Sequence, residues 1–82
     1  MTVGHRVAVL TRQGCSLCVT AEAETARICD ELGVPWSTVD VDADAELRAE
    51  YGDRVPVIMV DGREHAFWRV EDHRLRAALT TP

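Results

Sequence analysis

The chain is 82 residues long, 46% hydrophobic and 28% charged, which fits one small globular domain over residues 1–82. Nine Arg and no Lys stand against fourteen Asp and Glu, a net charge of -5, so the basic patch that nucleic-acid binding needs is missing. The apolar runs are far shorter than a membrane span or a signal-peptide core. We therefore expect a cytoplasmic monomer that binds neither nucleic acid nor membrane.

The N-terminal part of the chain predicts a strand followed by a long helix. Residues 6–11, "RVAVLT", are Val-rich and precede a polar loop, which is typical of a buried strand. The helix should begin near Ser16 and end at Gly33, because Pro35 cannot continue it. One face of this helix is apolar at helical spacing and should be buried: Leu17, Ala21, Ile28 and Leu32.

A second strand and a short helix follow. Residues 36–42, "WSTVDVD", alternate apolar and polar side chains, as a half-buried strand does. Residues 45–51, "AELRAEY", predict a helix that Asp42 or Asp44 caps and Gly52 closes.

The last third predicts a hairpin and a final helix. The β-rich run 55–60 precedes Asp-Gly at 61–62, the strongest two-residue hairpin signal, and 63–69 forms the returning strand. A helix should span 71–79. The order β-α-β-α-β-β-α predicts an α/β fold with one four-stranded mixed sheet and helices on both faces. Its first two strands should be parallel and its last two antiparallel.

Two cysteines, Cys15 and Cys18, stand where the first strand gives way to the first helix. Unpaired backbone N–H groups and the helix dipole at this position favour an anion, and a thiolate is one. We expect a lowered pKa for Cys15, which makes it the attacking thiol of a disulfide exchange, with Cys18 one turn later as the resolving thiol.

Other uses of the pair remain open. A zinc site would need further ligands, for which only Cys29 and the three histidines are candidates, and these show no ligand-like spacing. An inert buried pair is the other alternative. Cys29 lies on the helical face expected in the core, and Trp36 and Trp68 should pack against the sheet or its rim.

The segments "TRQGCSLC" and "RVPVIMVDG" resemble the glutaredoxin-like branch of the thioredoxin fold, and the resemblance covers practically the whole chain. It implies a thioredoxin-like fold in which Pro56 follows a cis peptide bond beside the cysteines, while the backbone of Val55 faces the substrate. Arg12 stands where glutaredoxins often carry a Lys that binds the glutathione carboxylate or favours the thiolate. We predict Arg12, Arg54, Val55 and Pro56 as substrate-binding residues.

The resemblance also implies the partners. The predicted activity is reduction of protein or small-molecule mixed disulfides, without a bound cofactor or metal. Reducing equivalents would come from glutathione, another small thiol or a thioredoxin-reductase-type enzyme. The choice stays open because "FWRVED" stands where the family has the Gly-Gly that approaches glutathione. The alternatives are a non-enzymatic adaptor of the same fold and a redoxin that binds an iron–sulfur cluster or zinc.

Overall fold

A computed structural model describes residues 4–81, so residues 1–3 and Pro82 of the predicted domain lie outside the described part. Its elements follow the predicted order: β1 (Val7–Thr11), α1 (Ser16–Leu32), β2 (Trp36–Asp40), α2 (Ala45–Tyr51), β3 (Val57–Val60), β4 (Arg63–Phe67) and α3 (Asp72–Thr80). One turn of 3-10 helix, Val41–Ala43, joins β2 to α2.

The four strands form one mixed sheet in the order β2-β1-β3-β4. As predicted, β1 and β2 are parallel, and β3 and β4 are antiparallel. Strand β1 lies at the centre and also pairs antiparallel with β3. The fold class is therefore the predicted one.

Two apolar clusters cover the two faces of the sheet. Alternate residues of β1, Val7 and Val9, pack in the larger cluster with Ile28 of α1 and Leu75 of α3. Leu10, which points the other way, packs in the smaller cluster with Val41 and Val57, and Leu47 and Tyr51 of α2 lie against them. Since successive strand residues face opposite sides, α1 and α3 share one face and α2 covers the other.

The predicted ends of the first helix and the hairpin are correct. Gly33 takes a left-handed backbone, φ 69°, and its N–H donates to the carbonyl of Cys29, which closes α1. Asp61 and Gly62 both have positive φ, 54° and 80°, as a tight turn between antiparallel strands requires.

All four strands are shorter than predicted, and β1 begins at Val7, one residue later than expected. Strand β2 ends at Asp40 because the Asp40 carboxylate accepts the N–H of Asp42 and starts the 3-10 turn. Strand β3 begins at Val57, after Pro56, which has no N–H for the ladder. Strand β4 ends at Phe67, because Trp68 leaves the extended conformation with φ 76°.

Of the two proposed caps for α2, Asp44 is the one used, and its carboxylate accepts the N–H groups of Glu46 and Leu47. Gly52 ends this helix without a left-handed turn, since its backbone stays helical with φ -53°. A Cβ at Gly52 would lie 2.5 Å from the carbonyl oxygen of Arg48, so the chain passes too closely here for a side chain.

Candidate active site

Cys15 is the N-cap residue of α1, four positions beyond the end of β1. Its backbone is extended, with φ -98° and ψ 104°, and its Sγ accepts the backbone N–H of Cys18 at 3.1 Å. That N–H is one of the donors that a helix start leaves without a backbone partner. The sulfur of Cys15 therefore occupies the position of a capping acceptor.

Cys15 and Cys18 are joined as a disulfide, with their Cα atoms 5.2 Å apart. The two sulfurs differ in accessibility. Cys15 is half-buried, whereas Cys18 is only 2% exposed. A shallow depression over the pair is lined on its α1 side by Val19 and Glu22. Another molecule can thus reach Cys15 from solvent while Cys18 stays covered.

The register of the sheet brings Pro56 to the same end of the molecule. Leu10 of β1 pairs with Val57 of β3, and Val57 pairs with Phe67 of β4. Residues that follow β1, precede β3 and follow β4 consequently lie at one end of the sheet. The Val55–Pro56 peptide bond is cis, as the resemblance implied, with Pro56 buried and Val55 half-buried.

Arg12, predicted to bind substrate, is bonded within the chain. Its Nε and Nη2 donate to the two carboxylate oxygens of Asp42 at 3.1 and 3.0 Å, and its Nη1 donates to the carbonyl of Gly52 at 3.1 Å. The hydrogen bonds to Asp42 raise the pKa of Arg12. Arg12 thus ties the loop before Cys15 to Asp42 in the 3-10 turn and to Gly52 at the end of α2. Both partners belong to the segment that covers the sheet face opposite α1.

Arg54 is likewise engaged. Its Nη1 donates to Glu64 of β4 at 3.3 Å, its Nη2 donates to the carbonyl of Glu50 at 3.1 Å, and its guanidinium lies 5.4 Å from the ring centre of Tyr51. The pair with Glu64 is about two-fifths exposed, so solvent screens it. Contact of Arg12 or Arg54 with substrate stays a prediction, and it requires each side chain to exchange its present partner.

Sequence reasoning missed the apolar side chains that are exposed at the cysteine end of the sheet. Leu17, expected on the buried face of α1, is 54% exposed, and Val19 is 69% exposed. Trp68, expected to pack against the sheet, is 53% exposed, and Phe67 is 41% exposed. The available signal was "FWRVED" itself, where two aromatic residues follow a short strand that Pro56 marks as lying near the cysteines.

Among residues 4–81, no three His, Cys, Asp or Glu side chains gather as ligands for a metal ion. Cys29, the third cysteine, is free and fully buried in the larger cluster, as predicted for a core residue. Burial raises the pKa of its thiol to about 11. No helix in the described range is long and apolar enough to cross a bilayer.

The chain belongs to the family described as Glutaredoxin-like domain (DUF836), which it matches over residues 6–80. The predicted family is therefore correct. A curated relative, the uncharacterized protein Rv0508 of Mycobacterium tuberculosis (strain ATCC 25618 / H37Rv), is 49% identical over 79 residues, which cover 90% of this chain and 81% of the relative.

Solved structures show the same fold. The solution structure of protein Ne2328 from Nitrosomonas europaea is 22% identical, with a TM-score of 0.85 over 98% of this chain and 96% of that protein. Thioredoxin from Fasciola hepatica is 24% identical, with a TM-score of 0.62 over 96% of this chain and 81% of that one. The architecture is thus that of the thioredoxin fold. At 22% and 24% sequence identity, these two structures show a shared fold and nothing further.

Proposed function

We propose that the protein is a thiol–disulfide oxidoreductase that reduces mixed disulfides of proteins or small molecules through Cys15 and Cys18. The observation that supports this most is the disulfide at the start of α1, in which the accessible Cys15 sulfur accepts the N–H of Cys18. The same N–H would stabilise a Cys15 thiolate after reduction, and a thiolate is the attacking form of cysteine.

The reaction runs in two exchanges. The Cys15 thiolate bonds to one sulfur of the substrate disulfide, the substrate S–S bond breaks, and the other sulfur leaves as a thiolate that takes up a proton. Cys18, deprotonated, then attacks the Cys15 sulfur, which releases the second substrate thiol and forms the Cys15–Cys18 disulfide. The substrate gains two electrons and two protons, and the protein loses them.

The substrate meets the protein at the Val55–Pro56 segment in this proposal. The sheet register puts the segment at the end where β1 leads into the cysteine loop. Since Pro56 has no N–H and is buried, the backbone of Val55 is the polar group that this segment offers to a passing chain. Val55 and Pro56 therefore orient the substrate sulfur, and the cysteines carry the exchange.

Regeneration needs two electrons from outside. A low-molecular-weight thiol such as glutathione or a thioredoxin-reductase-type enzyme would supply them by reducing the Cys15–Cys18 disulfide, with no bound cofactor. The activity belongs in a reducing compartment such as the cytoplasm, with the protein acting as a monomer.

Single substitutions test the two cysteine roles. Cys15→Ser should lower the reduction of a protein disulfide such as that of insulin to the rate of the donor alone. Cys18→Ser should accumulate a substrate joined to Cys15, visible as added mass that dithiothreitol removes. Cys29→Ser is the control and should keep the wild-type rate, because Cys29 is buried away from the site. Full activity in Cys15→Ser would contradict the proposal.

The exposed side chains around the disulfide favour one alternative, an adaptor that holds a partner without chemistry. In that case Cys15→Ser would bind the same partners as the wild-type protein, and both cysteines would react with disulfides no faster than free cysteine. An iron–sulfur or zinc redoxin would instead contain metal after purification without air. Metal analysis of such a preparation distinguishes this second alternative.

A further inference from the structure

Trp68 has an unfavourable backbone conformation. Its φ is 76°, in the left-handed region that bulky residues avoid and that glycine adopts freely. The backbone N–H of Trp68 donates to the carbonyl of Pro56 at 2.7 Å, which ties the end of β4 to the Val55–Pro56 segment. Any residue with an N–H could make this bond. The hydrogen bond therefore explains the backbone conformation but not the indole.

The indole is not used for packing in the core either. It is 53% exposed and meets the ring of Phe67 edge to face at 4.9 Å, and Phe67 is itself 41% exposed. Strained, exposed and aromatic residues are typical of sites where a protein meets a ligand. The indole is thus available to something outside the chain.

Four large apolar side chains are exposed between residues 4 and 81, and all four lie at or beyond the disulfide end of the sheet: Leu17, Val19, Phe67 and Trp68. Leu17 and Val19 follow Cys15 in the first turn of α1, and Val19 lines the depression over the two sulfurs. Phe67 pairs with Val57, next to Pro56. The link between the two groups is the bond from the Trp68 N–H to the Pro56 carbonyl, which holds the aromatic pair beside the Val55–Pro56 segment at this end of the sheet.

Charge around the site opposes an anionic substrate. Glu22 and Arg12 both line the depression over the disulfide, but the Arg12 guanidinium is paired with Asp42, and that of Arg54 is paired with Glu64. Arg69, which follows Trp68, is exposed and forms no ion pair within residues 4–81, so an anionic substrate would depend on it. A neutral, apolar polypeptide matches these surroundings better than a small acidic thiol.

We propose that Trp68, supported by Phe67, is a specificity determinant that selects protein disulfides whose attacked cysteine has an apolar neighbour in the sequence. The inference rests on the proposed exchange activity and names its substrate class. The apolar neighbour lies against the indole while Cys15 attacks the adjacent sulfur, and burial of one such side chain is worth about tenfold in rate.

Mixed disulfides of short peptides with thionitrobenzoate test this selection. The peptides are Gly-Xaa-Cys-Gly, with Leu, Gly or Glu at Xaa. The Cys15 thiolate bonds to the peptide sulfur, and thionitrobenzoate, the better leaving group, departs as a coloured thiolate with the electron pair of the broken S–S bond. The protein is the reduced Cys18→Ser, Cys29→Ser variant, so that the rate reports only the first attack.

We expect the Leu peptide to react about tenfold faster than the Glu peptide. Trp68→Gly should bring this ratio to within about twofold, whereas Trp68→Phe should keep most of it, because an aromatic ring remains. Glycine suits the left-handed backbone and keeps the N–H for Pro56, so Trp68→Gly removes the ring alone. Arg63→Ala, an exposed change at the far end of β4, is the control and should leave the ratio unchanged.

Equal rates for the Leu and Glu peptides, or a preference that survives Trp68→Gly, would overturn the inference. So would a faster Glu peptide that slows in Arg69→Ala, because the substrate would then be anionic. In these cases the protein still attacks the Gly peptide faster than free cysteine does, and the proposed exchange activity stands. If the protein attacks the Gly peptide no faster than free cysteine does, the proposed function is overturned, and the inference with it.

Discussion

The two ends of the sheet are built differently. At the turn end, where β3 and β4 meet, the Asp61 carboxylate binds His5 Nδ1 at 2.5 Å and the N–H of Arg6 at 2.9 Å. His5 Nε2 lies 2.6 Å from the carbonyl oxygen of Thr81. Both ring nitrogens face acceptors, an arrangement that favours the imidazolium form of His5. At the disulfide end, by contrast, apolar side chains are exposed and Trp68 is strained.

The turn end connects segments of the fold, whereas the disulfide end carries the proposed reaction. The turn end joins the segment before β1, the hairpin turn and the C-terminal end of α3 through exposed hydrogen bonds of His5 and Asp61. The disulfide end retains features that cost stability and that another molecule could use. The loop before Cys15 combines both, because Arg12 anchors it through Asp42 and Gly52.

The largest expected difference is between the thiols at the two ends of α1. Cys29 lies three turns along the helix, fully buried, and its pKa is raised from 9.0 to about 11. Since the thiolate reacts, this rise alone lowers the reactive fraction at neutral pH about 100-fold. In reduced Cys18→Ser protein, we expect iodoacetamide to modify Cys15 at least about 1,000 times faster than Cys29, because burial also keeps the reagent away from the Cys29 sulfur. Peptide mass spectrometry measures the two rates.

The control for that comparison is the same protein in urea, where the two cysteines should react at similar rates. Similar rates in the folded protein would mean that the reagent reaches Cys29 as readily as Cys15. This would contradict the expected difference between the two ends of α1.

A methyl group at Gly52 should disturb the anchored loop. It would lie 2.5 Å from the Arg48 carbonyl oxygen and 3.3 Å from Nη1 of Arg12. We expect Gly52→Ala to lower the free energy of unfolding by about 2 kcal/mol, as overpacking at a close approach does. Urea unfolding measures the change. The control is Glu50→Ala, an exposed change in α2, whose free energy of unfolding should stay within about 0.5 kcal/mol of wild type. An unchanged Gly52→Ala would show that the loop adapts freely.

Removal of the Trp68 ring should cost little stability, unlike removal of a ring that packs in the core. Glycine relieves the left-handed strain of about 1 kcal/mol, which offsets the lost contact with Phe67. We expect the free energy of unfolding of Trp68→Gly to stay within about 1 kcal/mol of wild type. Trp36→Ala, at a half-buried ring against the larger cluster, should lose about 3 kcal/mol. A comparable loss in Trp68→Gly would mean that its indole is structural.

The smallest expected effect is the pH dependence at the turn end. Asp61 and the Thr81 carbonyl raise the pKa of His5 above 6.5, while His5 lowers the pKa of Asp61, whose neighbour Arg63 acts in the same direction. The His5 contribution is therefore complete below 6.5 and is lost as pH rises through the raised pKa. The Asp61 contribution is lost only in acid, as pH falls through its lowered pKa.

The thermal midpoint of wild type should thus exceed that of His5→Ala at pH 6, and the gap should narrow toward pH 9. A gap that stays constant over this range would show that His5 binds as a neutral ring. Arg48→Ala, an exposed change on α2 away from the turn end, is the control, and its difference in thermal midpoint from wild type should be the same at pH 6 and pH 9.

The order and pairing of the elements were predictable because their signals are local. The Asp61-Gly62 turn, the Gly33 cap and the alternating strands act within a few residues, and they define the sheet. The bonds of Arg12 to Asp42 and Gly52 join segments 30 and 40 residues apart, which no local pattern records. Helical spacing likewise put Leu17 in the core, but Leu17 lies in the first turn of α1, at the end of the sheet, where its side chain is 54% exposed.

The positions of Cys15 and Pro56 at one end of the sheet followed from the family resemblance, whereas the exposure of Trp68 did not. Aromatic residues usually favour burial, and the left-handed backbone that turns Trp68 outward depends on its bond to Pro56. A bond between two loops is decided by the tertiary structure. Sequence patterns therefore located the cysteine pair but not the apolar side chains exposed at the same end of the sheet.

The pKa of the Cys15 thiol in the reduced protein tests the central claim most directly. Its value comes from the pH dependence of alkylation in the Cys18→Ser, Cys29→Ser variant, which keeps the backbone N–H of residue 18 and leaves one thiol. Because that N–H points at the Cys15 sulfur, we predict a pKa well below the free-thiol value of about 8.5. A pKa at or above that value in the folded protein would mean that the start of α1 does not stabilise a thiolate, and it would contradict exchange chemistry at Cys15.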